Sequence, residues 1–286
     1  MEETRDSEKK IYSSAPMIRQ NSWLRVLTTA AFFYILLLFT FLLTDNTNLF
    51  PTLVMVGNFM VPIAFVSFLY ERRHLSRLTM STVSLAFMYG GLVGIAAASL
   101  LEPFFINQLN LGAILRIGFI EEFAKILGVL VIARHRKHDS EMAGLILGAA
   151  AGMGFAALES NGYAFTAYLE SNGSISTTVA VTLIRGLFSP LGHGTWTAIL
   201  ASVLFRESRN GHFRIDSQVI GAYLLVSILH ALWDGLTLVV TTVSGPGLGV
   251  FIAEGIIGII GLFVLWIRWR DAVRLQTVMP PETEDI

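Results

Sequence analysis

The chain has 286 residues, of which 53% are hydrophobic and only 14% charged, where soluble domains carry about 25% charged residues. That composition excludes an ordinary soluble domain and indicates an integral membrane protein. The formal net charge of −1 masks an uneven distribution, and the absence of cysteine excludes disulfides, thiol nucleophiles and thiolate ligands, so any metal must be held by His, Asp or Glu.

Residues 1–23 are polar, with Arg5, Lys9, Lys10 and Arg19, and read as a cytosolic tail without the apolar stretch of a signal peptide. Apolar runs then recur at 24–43, 50–70, 83–101, 111–133, 142–168, 177–205, 217–242 and 247–268. Each suits a hydrocarbon core that takes about 20 helical residues, which predicts an all-α polytopic protein of about eight spans. The loops between them alternate. One set holds Arg72, Arg73 and Arg77, then Arg134, Arg136 and Lys137, then Arg206, Arg209 and Arg214, and ends with Arg268, Arg270 and Arg274; the loops at 44–49, 102–110, 169–176 and 243–246 have neither Lys nor Arg. This pattern places both termini in the cytoplasm of a cell-membrane protein. The expected organisation is one transmembrane domain over 24–268, with a catalytic core at about 111–242, and a C-terminal tail over 269–286 that reads as disordered after Arg274. No internal repeat is evident.

Against this apolar background, ionisable residues stand out in the fourth to seventh spans. Ile120-Glu121-Glu122-Phe123-Ala124-Lys125 puts three charges in mid-span, where a charge costs roughly 2.5–3.5 kcal/mol and needs a partner or a wet cavity. Glu159, His193 and His230 fall at a similar depth, within a slab about 10 Å thick at 1.5 Å per helical residue. Helpers stand one turn on: Lys125 after Glu121, Tyr163 after Glu159, Thr197 after His193 and Asp234 after His230, each pair sharing a helix face. The fifth span is rich in small residues from Gly148 to Ala157, which allows close approach of neighbouring helices. Ser189-Pro190-Leu191-Gly192-His193 predicts a break just before the histidine.

Two imidazoles and a carboxylate can hold Zn²⁺ with one position open, and a further carboxylate can act as base. Lys125 is expected to form an ion pair with Glu121 or Glu122, Asp234 to orient His230 or bind the metal, and Arg185 to neutralise a carboxylate or a substrate carbonyl. Tyr163, Thr197 and Trp233 read as packing or hydrogen-bonding residues, Arg116 and Glu254 as structural, and His74, His135, His138 and His212 as solvated loop residues. Proton-coupled transporters bury the same residue types; the adjacent glutamates with two histidines on separate spans favour an enzyme.

The four segments Ile120-Glu-Glu-Phe-Ala-Lys125, Phe155-Ala-Ala-Leu-Glu159-Ser-Asn-Gly-Tyr163, Pro190-Leu-Gly-His193-Gly-Thr-Trp-Thr197 and His230-Ala-Leu-Trp-Asp234 resemble, in order, the motifs of the PrsW family of intramembrane proteases, relatives of the CAAX prenyl proteases. The resemblance covers about residues 111–240. It implies hydrolysis of a peptide bond in or near the membrane, in substrates that include membrane-bound anti-sigma factors. By position, Glu121 and Glu122 would supply the base, His193 and His230 would bind a metal or polarise the carbonyl, and Glu159 would be a third ligand or second acid. The CAAX relatives, argued to work without metal, tend to have histidine where Glu159 stands and asparagine where Asp234 stands. The partners expected are the bilayer and a membrane-associated protein or peptide, with no nucleic acid.

Overall fold

The computed structural model describes residues 21–73, 76, 78–108, 110–134, 140–209, 211–245 and 247–278. Residues 1–20 of the expected N-terminal tail, the loop residues His74, Arg77, His135, Arg136, Lys137 and His138, and the last eight residues of the chain lie outside that set. The described residues contain no strand beyond one isolated bridge between Arg209 and His212. They form α1 (Ser22–Thr44), α2 (Phe50–Glu71), α3 (Met80–Phe105), α4 (Leu111–Ala133), α5 (Glu141–Glu170), α6 (Ile175–Phe188), α7 (His193–Arg206), α8 (Ser217–Ser244) and α9 (Leu248–Val278).

Side-chain caps set several of the starts. Thr79, Asn110, Ser140, Ser174 and Asp216 each accept a backbone N–H from the first turn of α3, α4, α5, α6 and α8, satisfying donors that have no partner within the helix. The expected break is present: a 3₁₀ turn at Ser189–Leu191 separates α6 from α7. Pro190 cannot continue the ladder, and its own carbonyl is taken up by Thr195 Oγ1 at 2.7 Å. Irregular backbone of this kind persists at membrane depth where it lines a protein interior.

Among the described residues, seven helical stretches are long and apolar enough to cross a membrane, so the chain is a multi-pass membrane protein. The eighth expected span, α4, has the length but carries Arg116, Glu121, Glu122 and Lys125. These charges turn inward or are tied down: Arg116 donates to the Phe105 carbonyl at 2.9 Å, and the other three are buried.

At the centre of the bundle is α5, whose most apolar stretch is 94% buried against 11% for α1. It packs on α2, α3, α6 and α7, and its glycines make that possible. A Cβ at Gly154 would overlap the Phe87 carbonyl of α3, and one at Gly152 would overlap the His193 carbonyl of α7. In lipid, where burial itself does not drive helices together, such close backbone approach supplies the packing energy. Gly118 does the same between α4 and α8, where an added Cβ would come 2.6 Å from the Ser227 carbonyl and 3.5 Å from His230 Cβ.

Part of the expected C-terminal tail is helical: α9 runs four residues past Arg274, to Val278, and the rest of that tail lies outside the described residues. Arg268 pairs with the buried Glu141 at the start of α5 and Ala272 is buried, so packing holds the helix past the point where hydropathy falls.

Candidate functional site

Four helices bring their ionisable groups to one place. Lys125 Nζ, fully buried, lies 2.8 Å from Glu122 Oε1, 3.1 Å from Glu121 Oε2 and 2.7 Å from His193 Nδ1, with the Phe155 ring face 4.3 Å away. The expected pairing of Lys125 with one glutamate is therefore with both, and with an imidazole as well. Successive carboxylates on a helix normally diverge by about 100°, and here the lysine three and four residues on draws them toward one point.

His230 is held from α4. Its Nδ1 is 3.0 Å from Glu122 Oε1, while Nε2 is 3.6 Å from Glu121 Oε2 and 3.5 Å from Asp234 Oδ2. An ionised carboxylate only accepts, so Nδ1–H donates to Glu122, and a neutral ring would hold its lone pair on Nε2. Glu122, with no exposed surface, accepts also from Thr197 Oγ1 at 3.3 Å.

Carboxylate orientation of the imidazole recurs on the other side. His193 Nε2 lies 3.1 Å from Glu159 Oε2, and Glu159 in turn takes a 2.8 Å bond from Arg185. Arg185 also donates to Ser160 Oγ at 3.3 Å and stacks over the Tyr163 ring at 3.8 Å. The imidazole rings are 5.2 Å apart, and Trp196 packs against both.

Glu121, His193 and His230 each offer one ligand atom, all within 4.8 Å of one another. Three N/O donors of this kind fit a catalytic zinc centre with an open position. Around a tetrahedral zinc at about 2.0–2.2 Å the ligands would be about 3.4 Å apart, and His230 Nε2 and Glu121 Oε2 are 3.6 Å apart. Glu159, expected among the ligands, stands outside this triad, behind His193 and paired with Arg185.

The sequence matches the family model described as PrsW family intramembrane metalloprotease over residues 79–267. The chain belongs to the PrsW family. It is also 30% identical over 181 residues to Protease PrsW of Halalkalibacterium halodurans, a match covering 61% of this chain and 79% of that protein. No solved structure matches. The protein is thus a multi-pass membrane peptidase of a metalloprotease family, with a protein substrate and a lipid surround. All four motifs fall inside the matched region, whereas α1 and α2 precede it.

Three contributors were not evident from the sequence. Glu102, near the end of α3, lies within electrostatic reach of Glu121, Glu159, Lys125 and His230; its place beside Pro103 in an unpaired loop hid it. Phe155 and Trp196, which wall the cluster, look like ordinary core aromatics. Glu254 was read as structural: it accepts from Thr237 Oγ1 at 3.2 Å. His212 is exposed, as expected of a loop histidine.

Proposed function

We propose that this PrsW-family protein cleaves a peptide bond of a membrane-associated regulatory protein, of the anti-sigma-factor kind, at a zinc centre held by Glu121, His193 and His230. The observation that carries this reading is the convergence of these three donors, each imidazole having a carboxylate behind its other nitrogen. That arrangement fixes the tautomer and the ring orientation in metal sites generally. Zinc bound there supplies a Lewis acid and brings the pKa of water to about 7.

The protein's own groups then divide the work. Glu122 and Glu159 are positioning residues, the first for His230 and the second, through Arg185, for His193. Asp234 is the base: its side chain is 36% exposed and borders His230 Nε2. It takes the proton of the attacking water and returns it to the leaving amide nitrogen. This differs from the assignment by motif position, which put the base on the Glu121–Glu122 pair and a ligand on Glu159. The preference rests on burial and partners, since Glu122 is sealed and Glu159 is engaged by a guanidinium. Substrate approaches from the lipid along the apolar groove of about 290 Å³ between α4 and α8, lined by Leu111, Ile114, Leu115, Leu232, Gly235 and Val239.

The test is cleavage of a single-span substrate by purified protein in detergent, with zinc measured alongside. Glu121→Gln and His193→Ala are expected to lose both zinc and cleavage, Asp234→Asn to keep zinc and lose cleavage, and Glu122→Gln to lose cleavage. Wild-type-like proteolysis by all four removes the proposal. A second reading is favoured by the ammonium of Lys125 among the donors: Glu121 activates water without a metal, as argued for the CAAX relatives. Full activity in zinc-free protein would select it.

A further inference from the structure

An ammonium has hydrogens to give and no lone pair, so His193 Nδ1, 2.7 Å from Lys125 Nζ, must be the acceptor. His193 therefore carries its proton on Nε2, toward Glu159, and Nδ1 is the atom it has to offer a metal. The lone pair of His193 and the Oε2 of Glu121, two of the three zinc donors proposed above, are both bound to Lys125. The lysine has no exposed surface, and the face of the Phe155 ring lies 4.3 Å from Nζ. Water cannot solvate this ammonium, which depends on the donors for its stability.

We propose that Lys125 is a built-in cation that gathers Glu121 and His193 into position and competes with the metal for them, so that the lysine sets the zinc affinity of the site. The inference rests on the zinc reading of the Glu121–His193–His230 cluster. Two positive centres close together in a poorly solvated interior repel each other, so Nζ and zinc compete for these donors. Lys125 has a place to go: Glu122 Oε1, at 2.8 Å, is outside the triad, and a flexible four-carbon stem lets Nζ stay there while releasing Nδ1 and Oε2.

The sign of a substitution separates this role from simple support. Removing an outer residue that merely steadies ligands weakens metal binding by about 10–100-fold. Removing a competitor tightens it, by a factor in the range of about 5–150 usual for coupled ligands. Full-length protein is purified metal-free in detergent and titrated with Zn²⁺ against a chromophoric chelator, as wild type, Lys125→Met, Lys125→Arg and His193→Ala. Thermal unfolding is followed with and without zinc.

Lys125→Met is expected to bind zinc more tightly than wild type, to unfold earlier without zinc, and to gain more in Tm when zinc is added, since a ligand stabilises in proportion to its affinity. Lys125→Arg keeps the charge and is expected to bind no more tightly than wild type. Equal or weaker zinc binding by Lys125→Met, with His193→Ala still abolishing it, overturns the proposal. If Lys125→Met does not fold, tighter binding by Lys125→Arg overturns it. Wild-type zinc binding by His193→Ala instead removes the underlying site assignment.

Discussion

Two buried ionic clusters sit at different levels of the same bundle, and they are built differently. At one end, Arg268 of α9 pairs with Glu141 of α5, with Asp271 3.9 Å from the guanidinium. Glu141 Oε2 and Arg268 Nε have no hydrogen-bond partner there. In mid-bundle, Lys125 meets Glu121, Glu122 and His193, and each imidazole has a carboxylate on its far nitrogen. The first cluster neutralises charge and fastens α9 to the core. The second aims lone pairs from α4, α7 and α8 at a common point, a geometry that neutralisation alone does not require. Charge burial marks both clusters, and only convergence marks the one proposed to carry the chemistry.

The largest expected effect is on the mid-bundle cluster. Stripping metal with a chelator should reduce cleavage by more than about 10³-fold, the scale of losing a catalytic Lewis acid, and added zinc should restore it. Arg268→Met protein, assayed per folded molecule, should respond to chelation like wild type. Next comes the stability of the end cluster. Breaking a buried pair by removing one partner costs about 3–5 kcal/mol, so Arg268→Met alone should lower the unfolding temperature sharply, and adding Glu141→Met should recover much of the loss. A double variant as unstable as the single would show that the pair does not act as a unit.

A smaller contrast lies in the glycines of α5. An added Cβ at Gly152 meets the His193 carbonyl, whereas one at Gly144 meets the Ala201 carbonyl at 2.5 Å. Overpacking costs about 1–3 kcal/mol at either position. Gly152→Ala should in addition lose most of its cleavage rate by displacing His193, whereas Gly144→Ala should keep its rate; equal kinetic losses would dissolve the distinction between the two levels. The smallest effect is expected from Tyr163→Phe. The ring under Arg185 is retained, so the rate should stay within about threefold, a cost below 1 kcal/mol.

Much of this was legible because a bilayer makes strict demands on sequence. Apolar runs of span length gave the helices, Pro190 gave the break between α6 and α7, and mid-span Glu121, Glu122, Lys125, Glu159, His193 and His230 flagged the place where partners had to meet. Pairing was not legible. That Lys125 would bridge both glutamates and reach an imidazole 68 residues away depends on helix rotation, which apolar periodicity in lipid does not set. Arg185 lies 26 residues from Glu159, and its choice of that carboxylate moves Glu159 out of the donor triad. Glu102 escaped because hydropathy ended the third span at residue 101, where α3 continues to Phe105. Hydropathy erred in the same direction at the C-terminus, because it scores Arg268 as a charge and cannot see the buried Glu141 that receives it.

The proposed chemistry requires one coordination sphere. X-ray absorption at the zinc edge of the loaded, full-length protein should show one zinc with two imidazole nitrogens and carboxylate oxygen, and His193→Ala and His230→Ala should each lose an imidazole or the metal. A zinc sphere without imidazole, or one unchanged by both substitutions, would contradict it.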